Sequence, residues 1–232
     1  MMKNSYTVLS TMLIGLAILA LVAEPFLPGL AGEAVNTSKQ ATVRTVQVTL
    51  RRGLDGYDGV RDTYLKEETP TTPHGSEQNI HIKESYNTRK RALMRFDLSS
   101  IPRQATIIEA QLALFFVAVY QGEAGEVGLY RLRRTWDEAN ATWSSTGSGD
   151  PWSRPGCDDD LRDYDPTPFA EILFDDLNYY FYVDVTTAVR QWVAEPDSNY
   201  GFLIRGYSSA DLRLSSSEDL ANRRPTLYVT YE

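Results

Sequence analysis

An all-β fold, an antiparallel β-sandwich carrying one short helix, is what the sequence predicts, on three observations. Apolar residues recur at every second position in about ten short segments, the period of a strand with unlike faces. Fifteen glycines and 11 prolines among 232 residues punctuate those segments at turn spacing. Only Val185, Val189, Trp192 and Val193 fall at helical spacing. No self-repeat of roughly 20–50 residues is visible, which sets solenoids and propellers aside.

The elements follow in order. Val46, Val48 and Leu50 alternate with Gln47 and Thr49 in a first strand that Gly53 and Gly56 end. Residues 60–65 form a short second strand, and Pro70, Pro73 and Gly75 mark the loop after it. Ile80 and Ile82 alternate with Asn79, His81 and Lys83, which predicts a strand with one wet face. Ala92, Met94 and Phe96 alternate with Leu93, Arg95 and Asp97 before Ile101-Pro102 opens a crossing connection. Ile108, Ala110, Leu112, Leu114 and Phe116 make the longest period-2 run. Ala113, Phe115 and Val117 are apolar as well, so this strand is expected at a sheet centre, covered on both sides. Residues 122–125 read as a turn, and Val127, Leu129 and Arg131 start the next strand. Residues 144–168 show no period, and structureless loops of this length are uncommon in compact domains and often functional. Phe181, Val183 and Val185 share a strand face. The helix then starts with Asp184 or Thr186 as N-cap and stops at Pro196. Residues 202–205, 212–215 and 227–231 finish the chain as strands.

Residues 1–34 read as a secretory leader or N-terminal anchor. Lys3 precedes an uncharged apolar run over residues 8–23, and Pro25, Pro28 and Gly29 break its continuation. Residues 35–44 are polar and read as a linker, which leaves 45–232 as one domain. The expected location is secreted or cell-surface, with membrane attachment only through an uncleaved N-terminal segment. Thirty-one acidic against 23 basic residues give a net charge of −8, which argues against nonspecific nucleic-acid binding. The single cysteine, Cys157, cannot form an internal disulfide and reads as a small space-filler.

Several segments carry a family resemblance. Arg91-Ala92-Leu93-Met94-Arg95-Phe96-Asp97-Leu98-Ser99-Ser100-Ile101-Pro102 resembles a motif of DNRLRE domains, which overlap the ninety-sixth family of carbohydrate-binding modules and the repeats of archaeal disaggregatase-type proteins. Residues 56–64, Trp136-Asp137-Glu138 with Trp143, Val183-Asp184-Val185-Thr186 with Trp192, Asn199-Tyr200-Gly201-Phe202, and Ser216-Ser217-Glu218 with Arg224-Pro225 follow in the expected order. The resemblance spans about residue 46 to the end, sharpens the sandwich to a jelly-roll-like one, and implies binding of an extracellular polysaccharide without cleavage. Alternatives are a structural cell-envelope or adhesion module with a protein partner, or a polysaccharide-degrading enzyme.

Enzymatic constellations are poorly supported. His74 and His81 stand in no metal-ligand spacing, no nucleophile elbow is present, and both histidines read as ordinary surface residues. The carboxylate pair Asp137-Glu138 and the run Asp158-Asp159-Asp160 read as solvated. Aromatics suit sugar binding, because a flat ring covers the apolar face of a pyranose while polar neighbours fix its hydroxyls. The candidate carbohydrate site is therefore Trp152, Arg154 and Tyr164 of the long loop, with Trp143 beside it; Trp136 and Trp192 read as core. Asp55, Asp58 and Asp62 among Gly53, Gly56 and Gly59 form the candidate site for a structural calcium, a cation that needs several hard oxygens on a turning backbone. Should the polysaccharide be anionic, the basic runs at 51–52, 89–91 and 131–134 are possible partners.

Overall fold

The computed structural model describes residues 44–120 and 124–232. The expected leader, nearly all of the expected linker and the first half of the expected turn at 122–125 lie outside the described residues. Among the described residues there are eleven strands: β1 (Val46–Leu50), β2 (Val60–Lys66), β3 (Asn79–Ile82), β4 (Lys90–Phe96), β5 (Ile107–Tyr120), β6 (Gly125–Arg131), β7 (Ala170–Phe174), β8 (Tyr179–Asp184), β9 (Phe202–Gly206), β10 (Asp211–Ser215) and β11 (Thr226–Tyr231). One helix, α1 (Thr186–Ala194), and a 3-10 turn at Pro196–Ser198 separate β8 from β9.

Every strand pairing is antiparallel, and the strands form two sheets stacked as a jelly-roll-like sandwich. One sheet runs β2-β4-β9-β6-β7; the other joins β1, β11, β5, β10, β3 and β8. In the second sheet β5 is the hub. Leu112 stands opposite both Leu227 of β11 and Val183 of β8, so those strands flank β5 on opposite edges. Phe116 stands opposite both Leu214 of β10 and Tyr179 of β8, so β10 shares the edge with β11. Strands β10 and β11 thus lie end to end along β5, split by the connection at residues 216–225.

The alternating pattern explains the main core. Ala92, Met94 and Phe96 of β4 face Leu112, Leu114 and Phe116 of β5 across the sheets, and all six are buried. Ala113 and Phe115, on the other face of β5, are buried too, as the double apolar pattern predicts. Ile108 departs from its expected place: it is exposed while Ile107 is buried, because the β5–β11 register shifts next to Tyr231 and turns the strand by one residue. The helix packs Ala188, Val189, Trp192 and Val193 inward, with Trp192 edge-on to Phe169 and Phe202. Its N-cap is Val185 rather than Asp184 or Thr186. Asp184 Oδ1 still accepts the Thr186 N–H at 2.8 Å, and Thr186 Oγ1 accepts the Ala110 N–H at 2.9 Å, tying the helix start to β5. Strand β7 has no counterpart in the sequence reading, although Ile172 and Phe174 alternate with Glu171 and Leu173.

A second core covers the outer face of the five-stranded sheet. Leu65, Leu93, Tyr130 and Leu203 project there, and Trp136, Trp143, Trp152, Cys157 and Tyr164 pack onto them. The long segment at 144–168 is the lid of this core. Gly156 has φ +80°, and a Cβ there would meet the Trp143 ring at 2.4 Å, so only glycine lets the backbone lie flat on the indole.

Candidate functional site: an arginine cleft and a carboxylate cluster

The expected aromatic platform is not a platform. Trp152 is 3 % exposed and its Nε1 donates to Thr142 O at 2.9 Å. Trp143 and Tyr164 are also buried, and the Tyr164 hydroxyl accepts from Arg205 at 2.9 Å. Only Arg154 of that set is exposed. A ring must present a free face to stack on a sugar, and these faces are spent on the second core. Trp136 and Trp192 are buried as expected. So is Cys157, whose thiol burial pushes well above its ordinary range.

The basic runs are largely consumed within the fold. Arg89 pairs with Glu67, Lys90 with Asp211, and the fully buried Arg91 with Glu84 and Asp158. Arg131 and Arg133 share Asp165, and Arg134 reaches Asp163. Asp158, expected in water, is instead the acceptor for Arg89, Arg91 and Arg205. Neither histidine is a surface residue. His74 is buried, stacked on Tyr64 at 4.3 Å with Nδ1 2.6 Å from Glu77 Oε1 and Nε2 3.3 Å from Thr69 Oγ1. Although that order resembles a nucleophile–base–acid chain, all three groups sit in one loop, which they pin to β2 through Tyr64 and Glu77. His81 is mostly covered, and burial, then the Lys90 charge, lower its pKa.

A cleft of about 760 Å³ remains at one end of the sandwich. It is lined by Tyr57, Arg61, Arg95, Arg103, Trp192 and Asn199, with the two carboxylates Asp58 and Asp97 on its wall. Arg95 projects from β4 on the face opposite Met94 and Phe96. Its guanidinium lies 5.7 Å from the Trp136 ring centroid and makes no hydrogen bond or ion pair with a carboxylate. Burial, followed by the nearby Arg61 charge, lowers its pKa. Two further groups on this wall lack partners: the Trp192 Nε1 donor and the Asn199 Oδ1 acceptor. The Tyr57 hydroxyl donates to Asp97 O at 2.9 Å, and burial raises its pKa. Sequence reasoning missed this cleft because Arg95 reads as one polar position of an ordinary alternating strand.

The expected calcium ligands Asp55, Asp58 and Asp62 do not converge. Asp55 is exposed, with φ +50° in its turn, and Asp58 is drawn to Arg52 and Arg61. Asp62 points the other way. It lies on the core side of β2 with Val60 and Tyr64, and groups with Glu138 and Glu218, one oxygen of each lying within 4.8 Å of the others. Glu138, expected in water, is half-buried instead and accepts the Asp62 N–H at 2.9 Å. Gly75 lies so close that a Cβ would sit 1.9 Å from Glu138 O. Burial, followed by the Glu218 charge, pushes the Asp62 carboxyl up to about 8. The parity of Asp62 with Val60 and Tyr64 was a readable sign of its burial; its partners lie 76 and 156 residues further along the chain and share no local pattern with it.

None of the described residues forms a helix long and apolar enough to cross a membrane. No curated protein matches the chain. Residues 62–229, from the buried aspartate of β2 into β11, match the disaggregatase related repeat domain, and the chain belongs to that family.

Proposed function

We propose that this domain binds an extracellular, anionic polysaccharide in the arginine cleft without cleaving it. Arg95 carries the reading. A half-buried guanidinium with no carboxylate in contact, beside a second arginine and with Asp97, Glu138 and Asp137 acting only at a distance, costs free energy that a direct ion pair would have relieved. A uronate carboxylate entering the cleft would supply the missing partner in the bidentate geometry that arginine favours. Arg61 and the exposed Arg103 add positive charge beside Arg95, and Tyr57 lines the same cleft. The resemblance to DNRLRE domains and carbohydrate-binding modules supports the ligand class, and the apolar leader supports an exported setting. Titration calorimetry of the purified protein against polyuronate and neutral glucan oligosaccharides tests it. Binding of the polyuronate that weakens with salt is expected, and no heat with either class removes the reading. Chelator belongs in the buffer, since polyuronates themselves capture divalent cations.

A second reading rests on a different surface. Tyr182 is exposed on β8, an edge strand of its sheet, beside Tyr180 and Tyr228 on the same outer face. An aromatic cluster on a strand with an open edge suits a protein partner or another copy of the chain. Concentration-dependent sedimentation abolished by Tyr182→Lys would favour it.

A further inference from the structure

We propose that Asp62, Glu138 and Glu218 bind one calcium ion where the edge of the five-stranded sheet meets the connection between β10 and β11. The inference is independent of what the arginine cleft binds. Asp62 is 1 % exposed. Its Oδ2 accepts the Ser217 N–H at 2.9 Å, while Oδ1 of the same carboxylate is buried and has no hydrogen-bond partner; the group lies within 4.8 Å of oxygens of Glu138 and Glu218. An inaccessible carboxylate oxygen with neither donor nor cation is a costly arrangement. A bound cation supplies the missing partner.

Charge gives the valence. Glu218 pairs with Arg52, and Glu138 Oε2 lies 3.6 Å from Arg61 Nε. Asp58 draws on both arginines, at 3.1 Å from Arg52 and 3.9 Å from Arg61. A bound cation displaces the proton that burial otherwise keeps on Asp62, and with all four carboxylates then ionised the two guanidiniums leave two negative charges uncompensated, the charge of one divalent ion. The donors are hard oxygens held on three separate segments, a β-strand and two loops, and the ligand set includes no imidazole or thiolate. That set excludes zinc and the soft metals and suits calcium, which accepts irregular geometry from mixed carboxylates and water better than magnesium does. Solvent reaches the cluster through a cleft of about 400 Å³ lined by Arg52, Pro73, Gly75, Ser76, Glu138 and Glu218, wide enough to complete the shell with water.

The experiment is thermal melting and calorimetric titration of the chelator-stripped full chain with calcium chloride, magnesium chloride and sodium chloride at matched ionic strength. Calcium is expected to bind at one equivalent per chain with a Kd on the order of 10⁻⁴–10⁻³ M, the range of extracellular modules, and to raise the melting temperature more than magnesium does. Glu218→Gln and Glu138→Gln should each weaken binding at least tenfold. Asp62→Asn should abolish it, and its cation-free form should melt no lower than the cation-free parent, since the amide oxygen can still accept the Ser217 N–H and its NH2 group can donate to a neighbouring glutamate. Asp55→Asn should bind calcium like the parent. A purely ionic cluster behaves differently: neither calcium heat nor a calcium-specific melting shift appears in the parent, and that result overturns the proposal. It is equally overturned if Asp55→Asn loses calcium while Glu138→Gln and Glu218→Gln retain it, or if magnesium binds as tightly as calcium.

Discussion

Arg91 Nη1 lies 2.8 Å from Asp158 Oδ1, and the arginine side chain is fully shielded from solvent. The same guanidinium donates to Gly156 O at 2.8 Å and sits 5.3 Å from the Trp143 ring centroid. One residue of β4 thus holds the long segment at 144–168 against the outer face of its sheet. Removing one partner of a buried ion pair strands the other, at a cost of about 3–5 kcal/mol. Arg91→Met should therefore lower unfolding stability by that order in urea denaturation, with Asp158→Asn showing a smaller loss because Glu84 still faces the arginine. A loss under roughly 1 kcal/mol, the scale of an exposed pair, would show that the segment is held by its apolar contacts alone.

Trp152 gives the companion prediction. Its indole is buried in the second core with the Nε1 hydrogen bond made, so Trp152→Ala should cost about 3–5 kcal/mol through lost burial and the cavity left behind. Trp192→Ala, in the main core, should cost a similar amount. Polysaccharide affinity of the folded Trp152 variant, measured well below its melting temperature, should match the parent. A specific loss of affinity with unchanged stability would restore the loop tryptophan as a binding surface.

Local patterns carried the fold. Strand β4 was legible because Ala92, Met94 and Phe96 alternate with residues of the opposite face, and α1 because Val185, Val189, Trp192 and Val193 share one stripe. The sites were less legible, for a physical reason. Burial of Trp143 and Trp152 depends on a second apolar layer formed by Leu65, Leu93 and Leu203, three residues of three strands that a linear reading assigns to the solvent side. The carboxylate cluster needs β2, the loop after β6 and the connection after β10 to meet, and no periodicity encodes that meeting. Glycine-bounded aspartates drew attention to 55–62, and only Asp62 of them reached the cluster.

Acid sensitivity should trace in part to Glu67. Arg89 donates to both of its carboxylate oxygens, at 2.5 and 2.9 Å, and the Arg89 N–H adds a third bond at 3.1 Å. The Arg89 hydrogen bonds lower the Glu67 pKa against the opposing effect of burial. Because the folded value is depressed, the unfolded chain takes up the proton first. The stabilisation is present above the ordinary glutamate range near pH 4.5 and is lost as pH falls through the folded value. Glu67→Gln should thus be destabilised by about 1–3 kcal/mol at neutral pH, and the gap to the parent should close on acidification. A gap that is constant from neutral pH to below the folded value would remove Glu67 from the acid response.

Arg95 should behave in the opposite sense to Arg91, although both are arginines of the same strand. Arg91 has its carboxylates in direct contact inside the fold; Arg95 has an indole and a like-charged neighbour, with Asp97, Glu138 and Asp137 attracting it only at a distance and the cleft before it. Arg95→Met keeps much of the side-chain volume and removes a partly desolvated charge. The cation–π contact forgone is worth about 0.5–1 kcal/mol and the attraction of Asp97, Glu138 and Asp137 is lost with it, while relief of desolvation and of the Arg61 repulsion offsets both, so unfolding stability should stay within about 1 kcal/mol of the parent. Binding of a polyuronate should instead weaken by about 1.5–3 kcal/mol, the value of a charge-assisted hydrogen bond, which is roughly a 10–150-fold rise in Kd. Arg103→Ala, at the exposed rim, should lose less and mainly at low salt, where distant charges are least screened. Equal affinities for parent and Arg95→Met, with both proteins folded, would place the sugar elsewhere. The exposed tyrosines of β8 would then be the next surface to mutate.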